Sequence, residues 1–396
     1  MSLNLTASAE RVHIGFFGLR NAGKSSVVNA VTGQNLAVVS DVKGTTTDPV
    51  KKAMELLPIG PVVIIDTPGI DDEGELGEKR VEKTLQILGK TDVAVLVVDA
   101  LKGKQTDDEN LISQFVKRNI PYIVVYNKAD LFDGDLSLKE NEILVSALNN
   151  KGINELKERI GELSKIKGEP KYIVSDLIKK GDIVVLCTPI DESAPKGRII
   201  LPQQMTLRDI LDANATAIFC QPEELAGTLS ELSKKPALVI TDSQVFGKVS
   251  EIVPDDVLLT SFSILMARYK GELSALCEGA KSLSNIKDGD KILISEGCTH
   301  HRQCNDIGTV KLPGWIKKYT GAQPEFVFTS GGDFPVDLSG FSLVVHCGGC
   351  MLNEREMKNR LNIATEQSVP IVNYGVAIAQ MNGILKRSLE VFNIGE

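Results

Sequence analysis

The sequence has few of the features that mark membrane, secreted or nucleic-acid-binding proteins. Only one of its 396 residues is tryptophan, and aromatic residues make up 5% of the chain. No apolar run approaches the roughly 20 residues that a membrane-spanning helix needs. Residues 1–11 lack the apolar core of a signal peptide, so we expect a cytoplasmic protein. A net charge of −8 and a pI near 5.3 oppose binding to nucleic acid.

The length and the cysteine content set further limits. At 396 residues the chain exceeds one ordinary hydrophobic core, so we expect two or three domains. Disulfides are rare in cytoplasmic proteins, so we interpret the grouped cysteines among the seven as a metal or redox site. The scattered Cys187, Cys220 and Cys277 are interpreted as core residues.

Residues 18–25, with the sequence GLRNAGKS, fit the phosphate-binding pattern G-x-x-x-x-G-K-[ST]. The preceding residues 12–17 alternate as a buried strand does, and the following residues predict a helix. Such a loop directs its backbone N–H groups at a polyphosphate, while the lysine reaches the β- and γ-phosphates and the serine binds Mg²⁺. The predicted GTP-binding residues in this loop and the helix start are Gly18, Arg20, Asn21, Ala22, Gly23, Lys24, Ser25 and Ser26.

Two further segments are typical of the loops that contact the γ-phosphate. The stretch 44–48 is rich in threonine, and Thr45 and Thr46 are predicted to contact the γ-phosphate, with Thr46 also binding Mg²⁺. A buried strand over 62–65 then leads to Asp66, which is expected to hold Mg²⁺, and to Gly69, whose N–H would contact the γ-phosphate. Lys24, Thr46, Asp66 and Asn21 form the predicted catalytic set.

Specificity for guanine is predicted from two later segments. Asn127, Lys128 and Asp130 follow another buried strand, and the Asp130 carboxylate suits the N1–H and N2–H₂ edge of guanine. Ser146 and Ala147 lie in the next loop, where a backbone N–H could contact guanine O6. Asn127 is expected to join its loop to the phosphate-binding loop.

Together these motifs resemble the G-motifs of a translation-factor-type GTPase domain over residues 8–168. The resemblance implies a doubly wound, mostly parallel α/β sheet and hydrolysis of GTP to GDP and phosphate. Asn21, the G-T-T-x-D motif, and Ile70 in place of a water-positioning glutamine resemble the K⁺-activated group that includes the tRNA-modification GTPases. That resemblance implies K⁺ bound by Asn21; a purely loop-stabilising role for Asn21 is the alternative.

A charged segment containing Gly168 and Pro170 predicts a domain boundary. Residues 171–265 contain predicted strands, including one over 198–201, and a helix over 222–232, but no chemical motif. We interpret this segment as a dimerisation domain. Residues 266–396 again alternate between predicted strands and helices, including a last helix over 376–392, and so predict another α/β sheet.

Two cysteine-containing clusters follow strands of this last sheet. Cys298 and His300 form a C-x-H motif, and residues 346–350 read HCGGC. Parallel strands open their carboxyl ends to one crevice, so we expect Cys298, Cys347 and Cys350 to meet there. Three thiolates suit a 4Fe-4S cluster with one exchangeable position. A zinc site completed by His300 or His346 is the alternative.

The combination of this GTPase domain with both clusters resembles the HydF family, the GTPases that mature FeFe-hydrogenase. The resemblance implies three domains: a GTPase domain, a dimerisation domain and a cluster-binding domain. It implies that Cys298, Cys347 and Cys350 bind the 4Fe-4S cluster, with His300, His346 or an acid such as Glu296 as candidates for the fourth ligand. It also implies a homodimer that receives a di-iron precursor made with radical-SAM maturases and delivers it to apo-hydrogenase. An RNA-modification-type GTPase with an iron–sulfur or zinc site is the alternative function.

Overall fold

The computed structural model describes residues 8–34, 50–67, 83–134, 136–165, 171–190, 199–297 and 307–393. The chain divides into two compact units, Met1–Glu169 and Pro170–Glu396. None of the helices in these described ranges is long and apolar enough to cross a membrane.

The first unit contains a six-stranded sheet in the order β2-β3-β1-β4-β5-β6. Its strands are β1 (Val12–Phe17), β2 (Val50–Leu56), β3 (Gly60–Asp66), β4 (Val93–Asp99), β5 (Tyr122–Asn127) and β6 (Glu142–Leu144). Only β2 is antiparallel to its neighbour; β3, β1, β4, β5 and β6 pair in parallel. The central strands are rich in valine and isoleucine because both faces of a parallel sheet are covered.

Helices cover both faces of this sheet. They are Lys24–Thr32, Thr106–Lys117 and Ile153–Lys165, and residues 83–88 are also helical. A hydrophobic cluster lies on each face of the sheet. Successive side chains of β4 contribute to different clusters, since Val95 packs in one and Leu96 in the other. This arrangement confirms the predicted doubly wound α/β fold.

The second unit contains two all-parallel, four-stranded sheets in the orders β10-β9-β7-β8 and β12-β11-β13-β14. Their strands are β7 (Ile183–Cys187), β8 (Thr216–Cys220), β9 (Leu238–Thr241), β10 (Leu258–Ser261), β11 (Lys291–Glu296), β12 (Glu325–Ser330), β13 (Leu343–His346) and β14 (Ile371–Asn373). The α-helices are Leu201–Asp212, Leu225–Glu231, Phe246–Ile252, Phe262–Lys270, Leu273–Lys281, Leu312–Thr320, Glu354–Glu366, Tyr374–Met381 and Leu385–Leu389.

The two sheets of the second unit share a hydrophobic core. Val185 and Val239 from one sheet belong to the same buried cluster as Leu293 and Val345 from the other. The predicted domain boundary between residues 265 and 266 falls inside the helix Phe262–Lys270. This helix therefore joins the two predicted domains.

Several local features differ from the sequence prediction, and three of them illustrate the causes. The edge strand Val50–Leu56 was missed because it is mostly exposed and lacks an alternating apolar pattern. The predicted strand over 198–201 is wrong at its end, since a helix begins at Leu201 with Pro202 in its first turn, where proline is favoured. The predicted helix over 376–392 is broken after Met381 because Asn382 caps it and Gly383 adopts a positive φ of 72°.

Each unit has a point where the strand order reverses. In the first unit, β3 and β4 lie on opposite sides of β1. In the second, β12 and β13 lie on opposite sides of β11. Ligands of open α/β sheets bind beyond the carboxyl ends of strands at such points. The segments that follow β1, β11 and β13 are therefore the places to look for sites.

Candidate functional site

Residues 18–25, called the nucleotide loop below, depend on two glycines. Gly18 has a φ of 149°, and a Cβ there would lie 2.3 Å from the Val97 carbonyl oxygen of β4. Gly23 has a φ of 84°, and its Cβ would lie 2.2 Å from Asn127 Nδ2. Larger residues would therefore clash as well as strain the backbone. Asn21 also adopts a left-handed conformation, with a φ of 62°.

The helix Lys24–Thr32 begins directly at the end of this loop. Gly23 caps it without a side-chain hydrogen bond, so the first-turn N–H groups of Lys24, Ser25 and Ser26 are directed toward the loop. The Lys24 ammonium forms an ion pair with Asp66 at the end of β3. Thus the predicted phosphate-binding lysine and Mg²⁺-binding acid lie side by side. The Arg20 and Asn21 side chains, in contrast, are exposed.

The guanine-binding segment contacts the nucleotide loop through Asn127. Its Nδ2 donates to the Ala22 carbonyl oxygen at 3.2 Å, and its Oδ1 accepts from the Ala147 N–H at 3.1 Å. Asn127 is 3% exposed, so both bonds are shielded from water. One buried amide thereby joins three of the predicted nucleotide-binding segments.

Lys128 and Asp130 are held by partners that follow other strands. Lys128 Nζ donates to Asp99 Oδ2 at 2.6 Å, and the Ser146 hydroxyl donates to Asp130 Oδ1. Burial alone would raise the pKa of Asp99, but the bond from Lys128 holds it below its ordinary value. Asp99 was missed from the sequence, although it ends a buried strand just as Asp66 and Asn127 do.

The remaining predicted γ-phosphate residues are not described. Thr45, Thr46, Gly69 and Ile70 lie outside the described residues. Next to this segment, Thr67 is buried and its Oγ1 donates to the Phe16 carbonyl oxygen at 2.7 Å. Thr67 therefore fixes the end of β3 to β1 immediately after Asp66.

The residues 347–352, called the cysteine turn below, follow β13. The Cys347 N–H donates to the Ser295 carbonyl oxygen of β11 at 3.0 Å. Cys347 Sγ accepts from the N–H groups of Gly297 at 3.0 Å and Gly349 at 3.4 Å. Gly297 is the residue immediately before Cys298 in the sequence. The chain leading to Cys298 therefore touches the sulfur of Cys347.

Both thiols of the cysteine turn are partly buried. Burial raises the pKa of Cys347 to about 11, although the N–H groups of Gly297 and Gly349 act in the opposite direction. Burial also raises the pKa of Cys350, against the charge of Lys270. A metal that binds these thiols must therefore displace their protons.

His346 is placed differently from the prediction that it could ligate a metal. It is fully buried, and its Nε2 accepts from Arg360 Nη1 at 2.9 Å. The other nitrogen, Nδ1, donates to the Cys347 carbonyl oxygen at 2.6 Å. Burial, together with the Arg360 charge, lowers the pKa of His346 to about 3. Both ring nitrogens are thus engaged in hydrogen bonds, and a metal-ligand role for His346 stays a prediction that requires one of these bonds to break.

Arg360 itself was missed because nothing in the sequence shows that its helix turns this charge inward. It is 1% exposed, and it donates to Glu356 Oε1 at 2.7 Å and to the Gly331 carbonyl oxygen. The guanidinium also lies 5.1 Å from the centre of the Phe334 ring. These contacts anchor His346, and through it the first residue of the cysteine turn.

The remaining predicted cluster residues lie at or beyond the end of β11. Cys298 and His300 lie outside the described residues. Glu296 is buried, and its Oε1 accepts from the Tyr374 hydroxyl at 3.4 Å. Within the described part of the chain, no three His, Cys, Asp or Glu side chains are grouped to hold a metal ion.

Comparison with protein-family models finds matches to three segments of the chain. Residues 173–271 match the hydrogen maturase F dimerization domain, and residues 274–391 match the hydrogen maturase F tetramerization domain. Together these two models cover more than half of the chain. The chain belongs to the HydF family. Residues 13–128 of this HydF chain match a model described as a 50S ribosome-binding GTPase, so its first domain is a GTPase domain.

Curated relatives align mainly with this GTPase domain. The tRNA modification GTPase MnmE of Chromobacterium violaceum is 33% identical over 159 residues, which are 39% of this chain and 35% of the relative. GTPase Der of Kosmotoga olearia is 28% identical over 237 residues, or 54% of this chain and 53% of the relative. The chain thus spans about a third to a half of the length of these relatives. A solved structure of a probable GTP-binding protein engB is 25% identical, with a TM-score of 0.33, over 39% of this chain and all of that one.

Proposed function

We propose that this HydF-family chain is a cytoplasmic, GTP-hydrolysing scaffold that binds a 4Fe-4S cluster and carries a di-iron precursor to apo FeFe-hydrogenase. The observation that carries the proposal is the hydrogen bond from Gly297 N–H to Cys347 Sγ, at 3.0 Å. This bond brings the segment that precedes Cys298 against the cysteine turn, in a chain that also contains a GTPase domain.

The GTPase part of the proposal assigns roles to the nucleotide loop. Lys24 and the first-turn N–H groups bind the β- and γ-phosphates, Ser25, Thr46 and Asp66 hold Mg²⁺, and Thr45 and Gly69 contact the γ-phosphate. Asp130 binds the guanine edge, and Asn127 holds its loop against the phosphate-binding segment. The Lys24–Asp66 ion pair supports this assignment because it places both groups at one end of the sheet.

We further propose that Asn21 binds K⁺, which would supply the positive charge that an arginine provides in other GTPases. The left-handed Asn21 backbone and its exposed side chain are compatible with this role. Turnover measured in KCl and in NaCl at equal ionic strength tests it. Faster turnover in KCl is expected, and equal rates would contradict the K⁺ assignment alone.

The chemistry of the cysteine turn fits an iron–sulfur cluster. Backbone N–H groups already point at Cys347 Sγ, and such bonds stabilise a metal-bound thiolate. Cys347, Cys350 and Cys298 would hold the cluster, which supplies redox-active iron with one position open to exchange. Because His346 is engaged by Arg360, we favour His300 and Glu296 as candidates for the fourth ligand.

The partners of this scaffold follow from the proposed cargo. The di-iron precursor arrives from radical-SAM maturases and leaves to apo-hydrogenase, while GTP hydrolysis changes partner affinity without building the metal centre. The dimerization and tetramerization models support an oligomeric scaffold.

Anaerobic purification and reconstitution, followed by iron, sulfide and zinc analysis with EPR of the reduced protein, test the proposal. Iron and sulfide in equal amounts are expected, with an EPR signal typical of a reduced 4Fe-4S cluster. Zinc without sulfide would instead indicate a structural zinc site. The RNA-modification alternative predicts RNA binding that falls steeply with salt, and the net charge of −8 argues against it.

A further inference from the structure

A buried lysine donates hydrogen bonds to the backbone of the cysteine turn. Lys270 is the last residue of the helix Phe262–Lys270 and is only 3% exposed. Its ammonium donates to the carbonyl oxygens of Gly349 at 3.1 Å, Cys350 at 3.0 Å and Leu352 at 2.9 Å. Burying an ammonium is costly unless hydrogen bonds replace its water, and here backbone carbonyls do so.

These bonds hold the backbone on both sides of Cys350. Gly349, immediately before this cysteine, has a φ of 61°, so the turn is a conformation that few residues adopt. The Lys270 ammonium ties that turn to a single point. The direction of the Cys350 side chain therefore depends on a residue 80 positions earlier in the sequence.

The helix that carries Lys270 is itself fixed to the last sheet. At its other end, the Ser263 hydroxyl accepts from the Gly375 N–H at 3.2 Å, and the Ser263 carbonyl oxygen accepts from Asn373 Nδ2 at 3.0 Å. Residues 173–271 match the dimerization model, whereas the cysteine turn lies in the tetramerization model. Lys270 thus joins one family domain to the metal-binding turn of the next.

We propose that Lys270 is a positioning residue for the metal-binding thiols, which fixes the cysteine turn and offsets the negative charge of its cysteines when they bind iron. This inference rests on the proposed cluster function. According to this inference, the last helix of the dimerization domain directly influences the metal site. A positive charge close to the cluster favours its more negative, reduced form, so Lys270 also raises the reduction potential.

Three substitutions separate the two effects of Lys270. Lys270→Met removes the hydrogen bonds and the charge, Lys270→Gln keeps neutral N–H donors, and Lys270→Arg keeps the charge. Lys281→Met is the matched control, because Lys281 ends the next helix with a largely exposed side chain. If Lys270→Met fails to fold, Lys270→Ala, which also removes both the hydrogen bonds and the charge, takes its place in hydrogen exchange and iron retention, and Lys270→Gln takes its place for the midpoint potential.

The first measurement uses full-length protein without a cluster and therefore does not depend on iron binding. Hydrogen exchange of the amides in residues 348–352 should be faster in Lys270→Met than in the wild type, and unchanged in Lys281→Met. Equal exchange in the wild type and Lys270→Met would overturn the positioning role.

The second measurement uses the reconstituted protein. The affinity of Lys270→Met for iron, measured by competition with a chelator, should be weaker than that of the wild type by roughly 10-fold to 100-fold. A loss of this size is usual when a group that supports a metal ligand is removed. The midpoint potential should fall in Lys270→Met and Lys270→Gln but stay close to that of the wild type in Lys270→Arg. Unchanged iron retention and potential in Lys270→Met would overturn the inference. A wild type that takes up no cluster would instead refute the proposed function, and hydrogen exchange would still decide the role of Lys270.

Discussion

The nucleotide loop and the cysteine turn lie beyond the carboxyl ends of parallel strands in two different sheets. The nucleotide loop follows β1, where the strand order of its sheet reverses, and the cysteine turn follows β13, which is paired with the reversing strand β11. The nucleotide loop is shaped by its own glycines, within eight consecutive residues. The cysteine turn is shaped by residues far away in the chain, namely Gly297, Lys270 and Arg360. The backbone of the nucleotide loop is therefore determined mainly by the loop's own residues, although Asn127 contacts it from afar, whereas the cysteine turn depends on several contacts with distant residues.

The largest expected effect tests whether the two sites are separable. Cys347→Ser or Cys350→Ser should abolish cluster binding, because a serine oxygen is a poor substitute for a thiolate ligand of iron. GTP turnover of the same variants should match that of the wild type. Iron content and phosphate release measure the two outcomes, and a simultaneous loss of GTPase activity would contradict the separation.

Arg360→Met tests the buried support of the cysteine turn. Removing this guanidinium takes away its buried hydrogen bonds to Glu356, His346 and the Gly331 carbonyl oxygen, so we expect a loss of about 3–5 kcal/mol in the free energy of unfolding. Lys358→Met, on the same helix but in a surface ion pair with Glu354, should cost less than about 1 kcal/mol. Denaturant unfolding of both variants checks the contrast, and similar losses would argue against a special role for the Arg360 network.

Asp130→Asn tests the guanine-binding segment of the nucleotide site. The substitution removes the carboxylate that we propose accepts from guanine, so GTP affinity should fall by about 100-fold or more, and xanthosine triphosphate should become the better ligand. Asp133→Asn, in the same loop, serves as the control. Unchanged affinities for both nucleotides in Asp130→Asn would remove Asp130 from the site.

A pair of glycines at opposite ends of one helix tests how the nucleotide loop is shaped. Gly23→Ala places a Cβ 2.2 Å from Asn127 Nδ2, whereas Gly33→Ala meets nothing within 4 Å. Both positions have a positive φ, so backbone strain should cost each alanine about 1 kcal/mol of stability, and Gly23→Ala should cost more because of its clash with Asn127. Only Gly23→Ala should also weaken GTP binding, by about 10-fold, as calorimetry can determine. An equal change in affinity for both would refute the contact argument.

The smallest effect concerns an ion pair of the GTPase domain. Burial acts to raise the pKa of Glu142, but the bond from Lys104 Nζ at 2.7 Å, together with the Lys139 N–H bond and the charges of both lysines, holds it below its ordinary value of 4.5. Its contribution to stability is present above pH 4.5 and is lost as the pH falls through the lowered pKa. Glu142→Gln should therefore cost about 1 kcal/mol at neutral pH. The difference in stability between Glu142→Gln and the wild type should shrink below pH 4.5. It is measured in the unfolding transition that GDP shifts, because that shift identifies the transition of the GTPase domain. A difference in stability that stays constant with pH would argue against the ion pair.

Most of the fold and of the nucleotide site could be predicted because their signals are local. Buried strands read as valine and isoleucine runs, and motif residues follow them directly. Asp99 was missed because an acid at the end of a strand is not part of a recognisable motif. Only the structure shows its hydrogen bond with Lys128. The helix break at Gly383 was missed because the apolar pattern continues past it.

The cysteine site could be predicted only in outline. The C-x-x-C spacing indicated a metal site, but the orientation of His346 depends on a buried charge one helix away. Lys270 sits in a strongly apolar helix, where nothing local shows that it faces three carbonyl oxygens. Such tertiary contacts override what a local pattern suggests.

We propose that two distant segments of this GTPase chain meet around one iron–sulfur cluster. EPR of dithionite-reduced, anaerobically reconstituted Cys298→Ser, measured beside the wild type, is the most direct test. We expect a 4Fe-4S signal in the wild type that is lost or reduced to a labile remnant in Cys298→Ser. An undiminished signal with the same iron content in both proteins would contradict it.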